Sequence, residues 1–314
     1  MKVKFWGVRG SIPTPIFDKT FKTQLRLILS DITTDDISTP EKKNEFIENL
    51  TFDKTIIGGN TACVELQIDN KLFIFDMGSG IIQLGNYLVR KQRKNGLDIN
   101  IFISHTHWDH ILGLPFFKPA FYSNNKITFF SPITNLEKRL ILQQNPKYFP
   151  ISLDLYPATK KFVQLEKNGT IEVNGVKIKN ILQYHPGSSY GYRIMSNGKT
   201  VVYSTDSEHK HFQNEQNGKF IDFFKDADIL IFDAQYTLEE AIDKRDWGHS
   251  TALTGIDLAI RSNVKKLVLF HHEPDNNDEM IHKILKQSIK YRQEKYPNSS
   301  LEVSLAYEGM EINL

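Results

Sequence analysis

Short runs of β-branched and aromatic residues recur along the chain, and Gly, Asn or Asp residues bound most of them. Runs of this kind are typical of β-strands. We predict strands over residues 2–6, 62–68, 71–75, 99–104, 126–130, 228–233, 265–270 and 301–307. The chain is therefore expected to contain many short strands.

Two Asn-Gly dipeptides predict tight hairpin turns. Asn174-Gly175 lies between the runs TIEV and VKIKNI, and Asn197-Gly198 lies between YGYRIM and KTVVYST. Asn and Gly tolerate the positive φ that both central residues of a two-residue hairpin turn require. We expect each pair of flanking runs to form antiparallel strands.

Helical segments are predicted between the strands, over residues 79–94, 136–144, 238–243, 251–262 and 278–296. In the fourth, Leu253, Ile256 and Ile260 fall on one face, as a helix packed on the core requires. Many strands with interspersed helices predict sheet layers covered by helices.

Residues 17–54 depart from this alternation and predict two inserted helices. Apolar residues at helical spacing form a stripe in each half, namely Phe21, Leu25, Ile28, Leu29 and Ile32, then Phe46, Ile47 and Leu50. Ser38-Thr39-Pro40 offers the second helix an N-cap and an early proline. Two interpretations stay open, a surface embellishment and a lid over a binding site.

Composition places the chain among globular proteins. With 314 residues, 40% hydrophobic and 24% charged, it can bury a large core, and we expect a single domain over residues 1–314. The chain has 39 Lys and Arg residues and 37 Asp and Glu residues, so it lacks the large positive net charge that would indicate a nucleic-acid partner. No apolar run of about 18 residues occurs, so we expect a cytoplasmic protein without membrane association.

The hexad His105-Thr106-His107-Trp108-Asp109-His110 follows the apolar run INIFIS. In an extended backbone, His105 and His107 point to the same side and can bind one ion. Asp109 and His110 follow in a turn or helix start, where they can face a second ion. Two ions roughly 3.5–4 Å apart can clamp the attacking and leaving oxygens of a hydrolysis. The alternative is a polar turn whose histidines are incidental.

Further candidate ligands lie at the ends of later apolar runs. His185 follows NILQY, Asp206 follows VVYST, and His271-His272 follows LVLF. The only cysteine is Cys63, so a metal must be held by histidines and carboxylates. Together with the hexad, these residues supply enough ligands for two ions.

These motifs resemble those of the metallo-β-lactamase-fold hydrolases, in particular the phosphodiesterase branch that includes ribonuclease Z. The matching segments are WGVRGSIPTP, GGNTACVEL, FDMGSG, SHTHWDH, His185, YSTDSE, DWGHST and LFHHEP. The resemblance implies an α+β, four-layered αββα sandwich with metal ions at one edge of the two sheets.

The resemblance also implies a ligand set of two groups with a bridging residue, namely His105, His107 and His185 for one ion, Asp109, His110 and His271 for the other, and Asp206 between them. If LVLF continues as a strand, His271 and His272 point to opposite faces, and we expect His271 to coordinate. We expect two divalent ions, zinc before manganese or iron.

Three residues are expected to take part in catalysis. The resemblance implies that Asp109 acts in catalysis as well as binding a metal ion. It also implies that Asp76 orients the histidine ligands, because a metal-bound histidine usually needs an oxygen partner on its second nitrogen. The alternative for Asp76 is a turn former. His249, in DWGHST, resembles the histidine of ribonuclease Z and could stabilise phosphoryl oxygens or protonate a departing alkoxide. Its alternative is a histidine that bonds only to backbone.

Weaker candidates complete the predicted site. Ser11 and Asn60 lie in Gly-containing loops whose N–H groups could contact phosphate, although ordinary turns explain them equally well. His272 is a candidate substrate contact. His209 and His211 lie in a polar segment and are expected to be solvated.

The resulting expectation is a dinuclear-metal hydrolase that cleaves phosphodiester bonds, in a small nucleotide-like or cyclic nucleotide substrate. Asp206 argues against the zinc β-lactamases, which have cysteine there, and His107 argues against iron-containing relatives that have Glu. An RNA 3′-processing endonuclease of ribonuclease Z type and a thioester or lactone hydrolase remain alternatives. Near-neutral charge disfavours a nucleic-acid partner, and a homodimer is left open.

Overall fold

The computed structural model describes residues 1–51, 54–91, 96–209 and 218–314. One mixed sheet has the strand order β14-β1-β2-β3-β4-β5-β6. Numbered along the chain, its strands are β1 (Lys2–Gly7), β2 (Cys63–Ile68), β3 (Lys71–Phe75), β4 (Asp98–Phe102), β5 (Lys126–Ser131), β6 (Thr159–Gln164) and β14 (Glu311–Asn313). Strands β3 to β6 run parallel to one another.

The second mixed sheet has the strand order β13-β12-β11-β10-β9-β8-β7. Its strands are β7 (Thr170–Val173), β8 (Val176–Leu182), β9 (Tyr190–Ser196), β10 (Lys199–Ser204), β11 (Ile229–Asp233), β12 (Lys266–Phe270) and β13 (Glu302–Leu305). Strands β10 to β13 are parallel. Because β8 and β10 are both antiparallel to β9, β8 also ends at the same edge as β10.

Helices and helical turns connect the strands. The α-helices are α1 (Asp18–Leu29), α2 (Pro40–Glu48), α3 (Gly80–Lys91), α4 (Trp108–Ile111), α5 (Leu136–Gln143), α6 (Gly218–Phe224), α7 (Leu238–Asp243), α8 (Ala252–Arg261) and α9 (Asp278–Lys295). Short 3₁₀ turns occupy Leu114–Phe116, Lys118–Phe121 and Leu153–Leu155. None of the helices in the described ranges combines the length and apolar character that a bilayer crossing requires.

Alternation along the central strands builds two core layers. Phe73 and Phe75 of β3 face a cluster between the sheets, whereas Ile74 faces a second cluster on the outer side. Between the sheets, the Phe75 ring packs against Tyr192 and Tyr203 of the opposite sheet at centroid distances of 5.8 and 5.6 Å. Helix α3 covers the first sheet, and α8 and α9 cover the second. The predicted four-layered αββα sandwich is confirmed.

Local sequence signals predicted most of these elements. Asn174 and Asn197 both have a φ of 51°, and the glycines that follow them also have positive φ, of 75° and 72°. The flanking strands pair antiparallel, so both predicted hairpin turns are confirmed. The predicted helix over 79–94 is observed as far as Lys91, and residues 92–95 lie outside the described residues. Helix α6 was not predicted, although its buried residues Phe220, Phe223 and Phe224 have helical spacing.

The predicted insertion forms two helices that stay outside both cores. No residue of α1 or α2 is buried, and the side chains of Phe21 and Leu29 are 52% and 51% exposed. The predicted cap is present, since the Thr39 side chain accepts a hydrogen bond from the Lys42 N–H. The apolar stripe therefore predicted the helix correctly, but the helix does not pack into either core. Its role as a lid stays a proposal.

Deleting residues 17–54 in favour of a short Gly-Ser linker is expected to leave the sandwich folded. Since α1 and α2 bury no residue, we expect the melting temperature to change by no more than about 3 °C. Thermal unfolding followed by circular dichroism measures this. A drop of about 10 °C or more would show that the insertion stabilises the core. The same variant tests whether the insertion is a lid. If it is a lid, its deletion should change kcat/KM, and if it is a surface embellishment, the kinetics should stay unchanged.

Candidate metal centre

Strand ends from both sheets meet at one edge of the sandwich and bring the predicted ligands together. Parallel strands present their carboxyl ends at a common edge, where loops collect. His105 follows β4, Asp206 follows β10 and His271 follows β12. His107 occupies the N-cap position of α4, so the first turn of that helix directs Asp109 and His110 into the same space.

The first group of ligand atoms comes from His105, His107 and His185, and these atoms lie within 4.8 Å of one another. Nε2 of His185 is 3.0 Å from Nδ1 of His107. The Nδ1–H of His185 donates to the Gly248 carbonyl at 2.9 Å, which leaves a lone pair on Nε2. Nε2 of His105 is buried and has no hydrogen-bond partner. All three rings thus present nitrogens to one point.

The second group consists of Asp109, His110, Asp206 and His271, again within 4.8 Å. Nε2 of His110 and Nε2 of His271 lie 3.1 and 3.2 Å from Oδ2 of Asp109. The opposite nitrogen of each ring is occupied, Nδ1 of His110 by Asp76 at 2.8 Å and Nδ1 of His271 by Gln235 at 3.0 Å.

Asp206 lies between the two groups and gives one oxygen to each. Its Oδ2 is 3.5 Å from Nε2 of His105 and 3.6 Å from Nε2 of His185. Its Oδ1 is 3.2 Å from Nε2 of His110 and 3.3 Å from Nε2 of His271. This placement has the geometry expected of a bridging carboxylate.

The electrostatics of the two groups differ. Burial lowers the pKa of His105 well below its usual value and also lowers the pKa values of His107 and His185, so these rings are neutral near pH 7. Burial opposes the charged form of His110, but Asp109, Asp206 and Asp76 raise its pKa well above the usual value. The second group therefore has a strongly negative potential, which attracts cations.

The donor set fits metal ions. Nε2 of His110 and Nε2 of His271 face each other at 3.3 Å, and Nδ1 of each ring is paired with an oxygen. Both Nε2 atoms are therefore directed at the same space, beside the carboxylates of Asp109 and Asp206. Histidine nitrogens and carboxylate oxygens without a thiolate suit zinc, manganese or iron. The cluster can therefore hold divalent ions.

Two buried side chains fix the orientation of candidate ligands. Asp76 is fully buried and accepts hydrogen bonds from the Ser104 N–H at 2.7 Å and from the hydroxyls of Ser104 and Tyr203, besides its contact with His110. Gln235 accepts from His271 and donates its amide N–H to Glu273. Asp76 therefore acts on the centre through His110 and does not line the cavity.

A cavity of about 390 Å³ opens over the centre. Its lining combines ligands with neighbouring loop residues, namely Ser11, Thr106, His107, Trp108, Asp109, Asp206, His249 and His271. Ser11, with φ of 62°, donates its backbone N–H to Oδ2 of Asp109 at 2.8 Å. The structure thus brings Ser11 to the cavity, as predicted for a substrate contact, but its N–H is engaged with a ligand.

His249 lines the same cavity, and its Nδ1 is paired with a buried carboxylate. Nδ1 of His249 is 2.8 Å from Oδ2 of Asp233, and its ring stacks on that of His271 at a centroid distance of 5.2 Å. Burial opposes protonation, but the Asp233 carboxylate raises the pKa of His249 to about 9. The Glu208 carboxylate accepts the N–H groups of Asp246 and Gly248 and anchors this loop.

Two predicted substrate contacts lie away from the cavity. The Asn60 side chain donates to Glu308 at 2.9 Å and accepts from Ser79 at 2.9 Å, so it joins loops. Nε2 of His272 is 2.9 Å from the Ala306 carbonyl, and burial lowers the pKa of His272 to about 3. Of the adjacent histidines, His271 therefore lies in the cluster, and His272 points away from it.

The expectation of a solvated His209 is wrong. Its ring is buried against Phe220 and Phe232, at centroid distances of 4.5 and 5.6 Å. The polar composition of the segment misled the prediction, because the His209 N–H bonds to Ser250 and draws the chain onto the second sheet. His211 lies outside the described residues.

Sequence reasoning missed Asp233 and Gln235. Asp233 ends the predicted strand over 228–233, just as Asp206 follows another strand, so the same strand-end signal could have found it. Gln235 carried no comparable signal, because its role depends on its distance from His271.

Comparison with known proteins agrees with this geometry. A family model described as the beta-lactamase superfamily domain matches residues 73–272. The chain belongs to the beta-lactamase superfamily. Ribonuclease Z of Picrophilus torridus is 28% identical to this superfamily member over 272 residues, which cover 70% of this chain and 82% of the ribonuclease.

Solved structures share the fold of this beta-lactamase superfamily member. The short form of human tRNase Z has a TM-score of 0.61 and 18% identity, with 100% of this chain and 99% of that chain covered. Yeast PDE1 has a TM-score of 0.62 and 13% identity, with the same coverage. The predicted resemblance is confirmed, and so is the prediction that the chain is a metal-dependent hydrolase.

Proposed function

We propose that this chain is a phosphodiesterase that holds two divalent metal ions and cleaves a small nucleotide-like diester. The observation that carries the proposal is His249, whose Nδ1 is held by Asp233 while its ring lines the cavity beside the ligands. An alkoxide is a poor leaving group, and a positioned acid lowers the barrier to its departure. A thioester releases a thiolate, which needs no such acid, so His249 favours an ester that releases an alkoxide, as a phosphodiester does, over a thioester.

Two groups of residues would hold the ions. His105, His107 and His185 would bind one, Asp109, His110 and His271 the other, with Asp206 shared; the expected metal is zinc, and manganese and iron also suit these ligands. When bound, such ions neutralise phosphoryl oxygens and lower the pKa of bound water.

The side chains of this centre have distinct tasks in the proposed reaction. Water forms a new bond to phosphorus and releases one proton to the solvent, and the bond from phosphorus to the leaving oxygen breaks. His249 donates a proton from Nε2 to that oxygen, and the Asp233 carboxylate stabilises the resulting imidazole in the orientation it already has. Asp109 is fixed by the Ser11 N–H, and Asp76 positions His110. The products are a phosphomonoester and an alcohol.

The cavity volume supports a small substrate. About 390 Å³ falls within the range typical of small-molecule sites. The formal net charge of +2 supplies no strong general attraction to a polyanion.

The second candidate function is that of a ribonuclease Z. It is favoured by the Picrophilus torridus relative of that name, which matches 70% of this chain. The same ligands and the same His249 would serve this reaction, so the two candidates differ in substrate recognition and share their chemistry.

A substrate panel tests the proposal. Zinc- or manganese-loaded protein is expected to hydrolyse bis-p-nitrophenyl phosphate and at least one cyclic mono- or dinucleotide, with higher kcat/KM than for a thioester. Rates are measured from nitrophenolate absorbance and from chromatography of nucleotide products. Hydrolysis of thioesters alone would refute the phosphodiesterase. Specific shortening of pre-tRNA 3′ trailers, weakening steeply with salt, would favour the ribonuclease.

A further inference from the structure

Trp108 occupies a peculiar position in the cavity over the metal centre. Among the described residues that line this cavity, it is the only one with an apolar side chain, since the others are Ser, Thr, His and Asp. The Trp108 side chain is nevertheless 82% exposed. An indole that packs against almost nothing in the protein contributes little to the core, so its surface is available to a ligand.

The backbone at Trp108 is firmly held. Trp108 is the first residue of α4, and the Leu112 N–H donates to its carbonyl at 2.7 Å. Its chain neighbours His107 and Asp109 both contribute atoms to the ligand groups. The ring is therefore attached to a held backbone segment beside the reaction centre, and a ligand has to order only the two side-chain torsions of Trp108.

The two other tryptophans differ from Trp108. Trp6 donates its indole N–H to Glu65 at 2.7 Å and packs against Tyr87, so it has a structural role. Trp247 is 62% exposed but does not line the cavity. Trp108 alone of the three thus combines exposure with a place beside the centre.

We propose that Trp108 is a stacking platform for the planar ring of the substrate, and that it selects esters bearing a nucleobase over esters without one. This inference rests on the proposed function, because it assumes that a phosphate ester binds at the centre. Phosphate and ribose then contact the polar lining, and the base lies on the indole. Aromatic side chains bind all bases by stacking, so the selection is for a base and not for its identity.

Equilibrium binding of two product-like probes tests the platform independently of turnover. Adenosine 5′-monophosphate and ribose 5-phosphate share phosphate and sugar and differ in the base. With zinc-loaded protein, calorimetry is expected to give a Kd for ribose 5-phosphate about tenfold or more above that for the nucleotide. In Trp108→Ala this ratio is expected to fall to about one, and in Trp108→Phe most of it is retained.

Tyr148→Ala is the matched control. Its side chain is equally exposed, at 82%, and does not line the cavity, so the ratio should equal that of the unaltered protein. Zinc content and thermal unfolding confirm that each variant is intact. A ratio of the two Kd values near one in the unaltered protein, or a ratio preserved in Trp108→Ala, would contradict the proposed stacking role of Trp108. Base-dependent binding without any diester hydrolysis would refute the proposed function and leave the platform standing.

Discussion

Replacing Asp206 by Ala is expected to lower kcat/KM for bis-p-nitrophenyl phosphate at least about a thousandfold. Each oxygen of this carboxylate approaches a different ligand group, so its loss weakens both proposed ion sites at once. The variant should also bind fewer ions. Steady-state rates and elemental analysis of the purified protein measure the two effects, and extra zinc should restore little of the rate.

The control for this change is Asp222→Ala, which removes an exposed carboxylate from α6, a helix that contributes no residue to either ligand group. It is expected to keep both rate and metal content. Asp206→Ala protein that retained two ions and near-normal turnover would exclude the bridging role. Loss of folding is checked by thermal unfolding, because Asp206 is itself buried.

The parts of the site that the sequence predicted are those with a local or periodic signature. The spacing of His105 and His107 along an extended segment determined their common direction, and the helix start that follows directed Asp109 inward. His185 and Asp206 were predicted because each follows an apolar run, and functional residues collect in the loops at strand ends. In the structure β8 and β10 end at the same edge, since both are antiparallel to β9.

The pairings between polar side chains could not be predicted, because only the sandwich brings the partners together. Asp233 contacts His249 across α7, and Gln235 contacts His271 across α7, α8 and β12. Periodicity reports which face of an element is apolar, but it contains no information about which polar side chains become neighbours across elements. The same limitation explains His209, whose burial depends on Phe220 and Phe232.

The exposed stripe of α1 shows a further limit of pattern reasoning. Phe21 and Leu25 have the spacing of a buried helical face, yet both are exposed. An apolar stripe predicts that a helix has a partner surface, and the described residues of the same chain do not bury it. Deletion of residues 17–54 distinguishes a lid from a surface embellishment.

Replacing His249 by Ala is expected to lower kcat about a hundredfold to ten-thousandfold for diesters with an alkoxide leaving group. The loss should be much smaller for bis-p-nitrophenyl phosphate, because nitrophenolate leaves without a proton. Ion content should stay unchanged, since His249 belongs to neither proposed ligand group. The measurements are kcat for a cyclic nucleotide and for the nitrophenyl ester, together with elemental analysis.

Two variants decide what a loss of activity in His249→Ala means. Asp233→Asn removes the charge behind the imidazole and should reproduce the dependence on the leaving group in weaker form, because the acid is still present but less well stabilised. His282→Ala removes a buried histidine of α9 and should leave the ratio of the two rates unchanged. Equal losses for both leaving groups would exclude the acid role. Loss of an ion would instead make His249 a ligand, in the alternative cluster that it forms with His185 and Asp206.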